Sequence, residues 1–85
     1  MEFRERQYTA RVLVTQYRGE TFFVDVVSPK RNIPNYYEAW IYTADMGVKT
    51  LMFGMHSGSV DCFIATVMLT FKVYADAYAR EHHDV

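Results

Sequence analysis

Cysteine is almost missing from this chain. Cys62 stands alone, so no internal disulfide can form, and that usage fits a reducing compartment. Four glycines and two prolines in 85 residues leave no low-complexity tract and no linker between domains. No stretch reaches the roughly 18 uninterrupted apolar residues of a membrane span. The first residues, Met1-Glu2-Phe3-Arg4-Glu5-Arg6, lack the apolar core of a signal peptide. The chain therefore reads as cytoplasmic. An excess of positive charge is also absent. The formal net charge is −1, whereas a protein that lives by gripping phosphates is usually far more basic. Residues 1–31 carry a balance of +2 and residues 32–85 a balance of −3, which is a weak asymmetry.

What the chain does hold is apolar and aromatic: seven Tyr, six Phe and one Trp, with half of all residues hydrophobic. That composition packs a core and argues against disorder. The length points to a single α+β domain over residues 1–85 with a small stability margin.

Two hairpins and one helix emerge from the periodicity. Tyr8, Ala10, Val12 and Val14 alternate with Thr9, Arg11, Leu13 and Thr15, the period-2 pattern of a strand. Residues 21–27 repeat it. Tyr17-Arg18-Gly19 reads as a three-residue hairpin loop with glycine in the last position. That register pairs Val14 with Phe22, Val12 with Val24 and Ala10 with Val26 on one face. On the other it pairs Thr15 with Thr21, Leu13 with Phe23 and Arg11 with Asp25. Residues 28–35 contain Pro29 and Pro34 and form a loop. A second hairpin over about 36–55 uses Asp45-Met46-Gly47 in the same way. It pairs Ile41 with Leu51, Ala39 with Phe53 and Tyr37 with Met55; the opposite face pairs Tyr42 with Thr50, Trp40 with Met52 and Glu38 with Gly54. Ser57 or Ser59 then caps a helix. Its stripe runs through Val60, Phe63, Ile64, Val67, Met68, Phe71, Tyr74, Ala75 and Tyr78, over residues 59–80. The expected architecture is ββββα: two consecutive hairpins forming a roughly four-stranded antiparallel sheet, with one long C-terminal helix packed on one face. Val12, Val14, Phe22, Val24, Val26, Ala39, Ile41, Leu51, Phe53 and Met55 are expected beneath the helix.

One helix covers one side of a sheet. The same register leaves Leu13, Phe23, Val27, Tyr36, Trp40, Tyr42 and Met52 on the other side, with Arg11, Asp25, Glu38 and Thr50 interspersed. A solvated face would be mostly Thr, Lys, Glu and Ser, and large exposed apolar patches mark contact sites. The expected interface is Arg11, Leu13, Phe23, Val27, Tyr36, Trp40, Tyr42 and Met52. The bland alternative is that the N-terminal segment or the proline-containing loop folds over this face, or that a bent hairpin sends some of these side chains into the core.

Groups that could do chemistry are few. Cys62 in the first helical turn and His56 nearby would make a nucleophile and base, but no third member stands with them, and a small residue at a helix start is the stronger account. His82, His83 and Asp84 sit at an unanchored terminus, a poor place for a metal site. Residues 54–59 lead into a helix N-terminus without the phosphate-loop pattern or a flanking lysine, so a plain connection is preferred. No cofactor, metal or small-molecule substrate is indicated.

The strand–strand–strand–strand–helix order resembles sheet-plus-helix domains of the Pur type. That likeness implies dimers that bind single-stranded nucleic acid on an aromatic platform, here with Arg11, Lys30 and Arg31 at its rim. The acidic balance favours a different first expectation: a non-enzymatic protein-interaction domain, working as a homodimer or gripping another protein. Small, linker-free chains of this kind serve phages and mobile elements as inhibitors or adaptors, anti-CRISPR-like inhibitors among them.

Overall fold

The structure, a computed structural model, describes residues 8–30, 32–45 and 48–83, with side chains over 11–30, 32–45 and 48–81. Strands β1 (Tyr8–Tyr17), β2 (Glu20–Ser28), β3 (Tyr36–Thr43) and β4 (Thr50–His56) precede helix α1 (Val60–His83). The strands form one antiparallel sheet in the order β1-β2-β3-β4, and α1 crosses one face of it. The α+β fold of four strands and a C-terminal helix is the one the periodicity predicts.

Helix and sheet bury each other through Phe63, Val67, Phe71, Ala75 and Tyr78 above, and Phe22, Val24, Val26, Ala39 and Ile41 below. Each large side chain removed from water here contributes about 1.5–3 kcal/mol. Rings interlock near the start and at the middle of α1. Phe63 packs on Tyr37 and Phe53 at 5.5 and 5.4 Å. Phe71 meets Tyr17 and Phe22 edge-on at 5.9 and 5.6 Å. Ser59 caps the helix: its hydroxyl accepts from the Cys62 amide at 3.2 Å and its carbonyl from Phe63 at 3.1 Å. Asp61 lies in the first turn, where a carboxylate opposes the positive end of the helix dipole. Met68, expected on the buried stripe, is instead 48% exposed.

The first hairpin departs from the expected register. Tyr17 pairs with Glu20, so the loop has two residues rather than three. Arg18 (φ 52°) and Gly19 (φ 80°) are both left-handed, the type I′ turn whose twist suits a hairpin. Leu13 therefore faces Val24 and Val14 faces Phe23. A one-residue slip exchanges the faces of a strand: Leu13 and Tyr17 pack against the core, while Val12 and Val14 are 49% and 61% exposed on the side away from the helix.

The second hairpin follows the expected register at Tyr37–Met55, Glu38–Gly54 and Ala39–Phe53, then shifts so that Trp40 pairs with Leu51 and Ile41 with Thr50. Met52 is the extra residue of this bulge. It turns into the core, and Leu51 turns out, 45% exposed. Thr43 and Thr50 bound a connection longer than three residues; Met46 and Gly47 of the expected loop lie outside the described residues. The hydroxyl of Tyr78 donates to the Val48 carbonyl at 2.9 Å and ties this connection to the helix.

Candidate functional site: the helix-free face of the sheet

The candidate site starts from strand alternation. On β2 the residues facing away from α1 are Phe23, Asp25 and Val27; on β3 they are Tyr36, Glu38, Trp40 and Tyr42. The β2–β3 register pairs Phe23 with Tyr42, Asp25 with Trp40 and Val27 with Glu38. Phe23 and Tyr42 stack, with centroids 5.3 Å apart and planes at 18°. Val14 from β1 and Leu51 from β4 extend the apolar surface to both sides through their pairing with Phe23 and Trp40.

Two carboxylates organise the rings. Asp25, almost fully buried, accepts from the Tyr42 hydroxyl at 2.9 Å and from Lys49 Nζ at 2.8 Å. Glu38 accepts from Trp40 Nε1 at 3.1 Å and from the Tyr36 hydroxyl at 3.4 Å. The polar atoms of Tyr36, Trp40 and Tyr42 are thus satisfied within the chain. Lysines complete the edges: Lys49 Nζ stands 4.9 Å from the Tyr42 ring centre and Lys30 Nζ 5.9 Å from that of Tyr36, distances at which a cation is attracted to the ring face. Asp25, Val27, Trp40 and Lys49 line an open cavity of about 190 Å³.

The ionisations follow these contacts. Burial, then the hydrogen bond to Asp25, raises the Tyr42 hydroxyl above its ordinary value. The hydrogen bond to Asp25 holds the Lys49 ammonium above its own. Tyr36 is raised by burial and then by the neighbouring Glu38 charge.

Of the eight residues expected at the interface, Phe23, Val27, Tyr36, Trp40 and Tyr42 come together on this side of the sheet, but Val27 is buried, 3% exposed, and offers a partner no surface. Three do not join them. Leu13 packs under the helix because the turn is one residue shorter than expected. Met52 enters the core because of the bulge. Arg11 sits on the helix side, its guanidinium 3.2 Å from Asp61. Val12, Val14 and Leu51, expected beneath the helix, stand on the open face instead. A two-residue loop ending in glycine is itself a hairpin signal, and applying it to Arg18-Gly19 would have found the two valines. Nothing in Leu51-Met52-Phe53 marks a bulge, since all three are apolar.

The other candidates disperse. The His56 ring packs on Tyr36 at 5.2 Å, whereas Cys62 is exposed on the helix. Among the described residues no three His, Cys, Asp or Glu side chains gather to hold a metal. The side chains of His82 and His83, and all of Asp84, lie outside those described. Residues 54–56 end β4 and 57–59 simply connect it to α1, with the Ser57 amide donating to the Asn35 carbonyl at 2.8 Å. No described helix is long and apolar enough to cross a membrane.

Fold and face together define a small ββββα domain with one sheet face left uncovered by its helix and lined with aromatic rings. Compared with family models, curated proteins and solved structures, the chain matches none.

Proposed function

We propose that this chain is a non-enzymatic protein-interaction module, an inhibitor or adaptor that grips its partner through the helix-free face of the sheet. The observation that carries this reading is the tethering of Tyr36, Trp40 and Tyr42 to Glu38 and Asp25. The tethers fix the ring orientations before binding, so little side-chain entropy is lost on contact. They also leave no indole or phenol donor unpaired when a partner excludes water. Rigid aromatic anchors with their polar atoms already satisfied are the kind of group that dominates binding energy in interfaces.

The stacked Phe23–Tyr42 pair favours a second reading, a platform for single-stranded nucleic acid. Two carboxylates set among the rings oppose a phosphate backbone. Arg11, which that reading needs at the rim, is turned to the helix side.

The test uses Trp40, the only tryptophan. In the isolated protein Trp40 is half-buried, so acrylamide is expected to quench it partly, and bound partner to protect it further. Affinity capture from the native host is expected to recover a partner that Trp40→Glu loses while keeping the wild-type circular dichroism spectrum. An identical catch with Trp40→Glu rejects the protein-interaction reading. Salt-sensitive binding of random-sequence single-stranded DNA, seen by fluorescence anisotropy, would replace it with the second one.

A further inference from the structure

The sheet has two edges, and they are built differently. Edge β4 is short, seven residues, and its ladder is broken by the bulge at Met52. Bulges and shortness are devices that keep an edge from pairing with another chain. Edge β1 has ten residues; it carries its own bulge at Ala10, near its start, but from Arg11 to Tyr17 its ladder with β2 is unbroken. Val12-Leu13-Val14-Thr15-Gln16-Tyr17 contains no proline, no lysine and no acidic residue, and it is rich in residues suited to strands. The charge at its start, Arg11, is engaged by Asp61 of the helix. Among the described residues, no strand pairs with the outer side of β1.

The turn decides which backbone groups that side offers. In a two-residue hairpin the residues flanking the turn, here Tyr17 and Glu20, exchange both hydrogen bonds. Alternation then turns the N–H and C=O of Thr15 and Leu13 toward β2, and those of Gln16, Val14 and Val12 outward. Val12 and Val14 also hold their side chains in solvent, 49% and 61% exposed.

We propose that β1 is a docking edge whose occupant is the β1 strand of a second copy, antiparallel and centred on Leu13. An inverted copy in that register sets Val12 opposite Val14 twice over, Leu13 opposite Leu13 and Arg11 opposite Thr15. The outward-facing amides of Val12 and Val14 gain partners, valine meets valine, and no like charges confront each other. A parallel copy in register would set Arg11 beside Arg11. The strand is therefore its own complement, as a two-fold interface requires. The pairing makes one eight-stranded sheet and joins the two helix-free faces side by side. Its area, one ladder with its flanking valines, falls short of the roughly 800 Å² per partner of a stable interface, so the dimer forms at high concentration and dissociates on dilution. This proposal does not depend on the face of the sheet being a binding surface.

The experiment is analytical ultracentrifugation of the full chain across a dilution series, paired with residue-resolved amide exchange. At high concentration the mass is expected to double, and the amides of Val12 and Val14 to become protected. On dilution that protection is lost, while the inward amides of Leu13 and Thr15 stay slow. Val14→Lys adds a charge at a position already in solvent, so the fold is kept; it is expected to leave a monomer at every concentration. A wild-type monomer throughout overturns the proposal. So does a dimer that forms while Val12 and Val14 exchange fast, or one that survives Val14→Lys. A dimer lost with Trp40→Glu but kept with Val14→Lys overturns the edge proposal while leaving the sheet-face reading standing.

Discussion

The two hairpins start from similar sequences and solve the same problem in different ways. Each has apolar residues at both phases of its alternation, so each strand has two candidate inner faces. In β1–β2 the choice is made at Arg18-Gly19 and holds from Tyr17 to Arg11, and the register shifts only beyond that, at Ala10 near the start of β1. In β3–β4 it is made twice. Phe53 follows the turn-distant register under Ala39, and the bulge then adds Met52 to the core and sends Leu51 outward. In β1 the bulge falls near the strand's start, so the stretch next to the tight turn keeps a regular, unprotected edge; in β4 it falls within the strand, fills the core with Met52 and blunts the edge. The helix grips the two hairpins separately, Phe71 holding the first and Phe63 the second.

That division is the first thing to break, with the largest effect. Phe63→Ala and Phe71→Ala are each expected to cost about 3–5 kcal/mol, which is comparable to the whole stability of a small domain. Milder Leu substitutions should keep the fold and separate the hairpins. In native-state amide exchange, Phe71→Leu should lower protection in β1–β2 before β3–β4, and Phe63→Leu the reverse. Equal losses in both hairpins with either variant would mean the sheet opens as one unit.

The same contrast explains what could be read from the residues alone. The strands and the helix were legible because period-2 and 3.6-residue patterns are local, and Ser59 and Asp61 mark the helix start. The placement of five of the eight residues on the helix-free side was legible because they sit on β2 and β3, whose pairing with each other depends on neither hairpin turn. The three that moved lie on the edge strands. Leu13 and Arg11 moved because a glycine-ended loop of two residues and one of three look alike, and β1 is apolar in both phases. Met52 moved because a bulge among apolar neighbours leaves no trace in the pattern. The tethers from Asp25 and Glu38 were hidden for another reason: they join residues that become neighbours only after the strands have paired.

A smaller effect belongs to the open face. Asp25→Ala removes a nearly buried acceptor shared by Tyr42 and Lys49. It is expected to cost about 1.5–3 kcal/mol by denaturant unfolding, the range for hydrogen bonds to a charged group. Most of this comes from Tyr42, since the Lys49 side chain is more than half exposed and solvent screens its pairing. The pH dependence has a definite sign. Tyr42 and Lys49 both have folded-state values above their ordinary ones. Their contribution is present in full below the unfolded values, near pH 10, and is lost as pH rises through the folded ones. Stability should fall on the alkaline side, and Tyr42→Phe should flatten that limb. An unchanged limb would show that the Tyr42–Asp25 bond does not hold the face together in solution.

The smallest effect falls on the turn, where the comparison began. Gly19 has φ of 80° and open space where a side chain would go, with nothing within 4 Å. Gly19→Ala is therefore strained by backbone conformation alone, at about 1–2 kcal/mol. Gly58 also has open space around it, without the positive φ, so Gly58→Ala separates conformational strain from crowding and should leave the urea midpoint nearly unmoved. Arg18 is the sharper probe. It holds φ of 52° with a side chain, and its guanidinium is 3.6 Å from Asp76 in an exposed pair. Arg18→Asn gives up that screened pair and supplies the residue that most readily takes a left-handed turn before glycine. The backbone gain should exceed the lost pair, so the urea midpoint should rise slightly while the Tyr17–Glu20 pairing stays in place. A three-residue loop has no use for a left-handed residue at position 18, and in that case the same substitution would lower the midpoint. The sign of this small shift therefore tests the register on which the faces of β1, and the outward amides of Val12, Val14 and Gln16, depend.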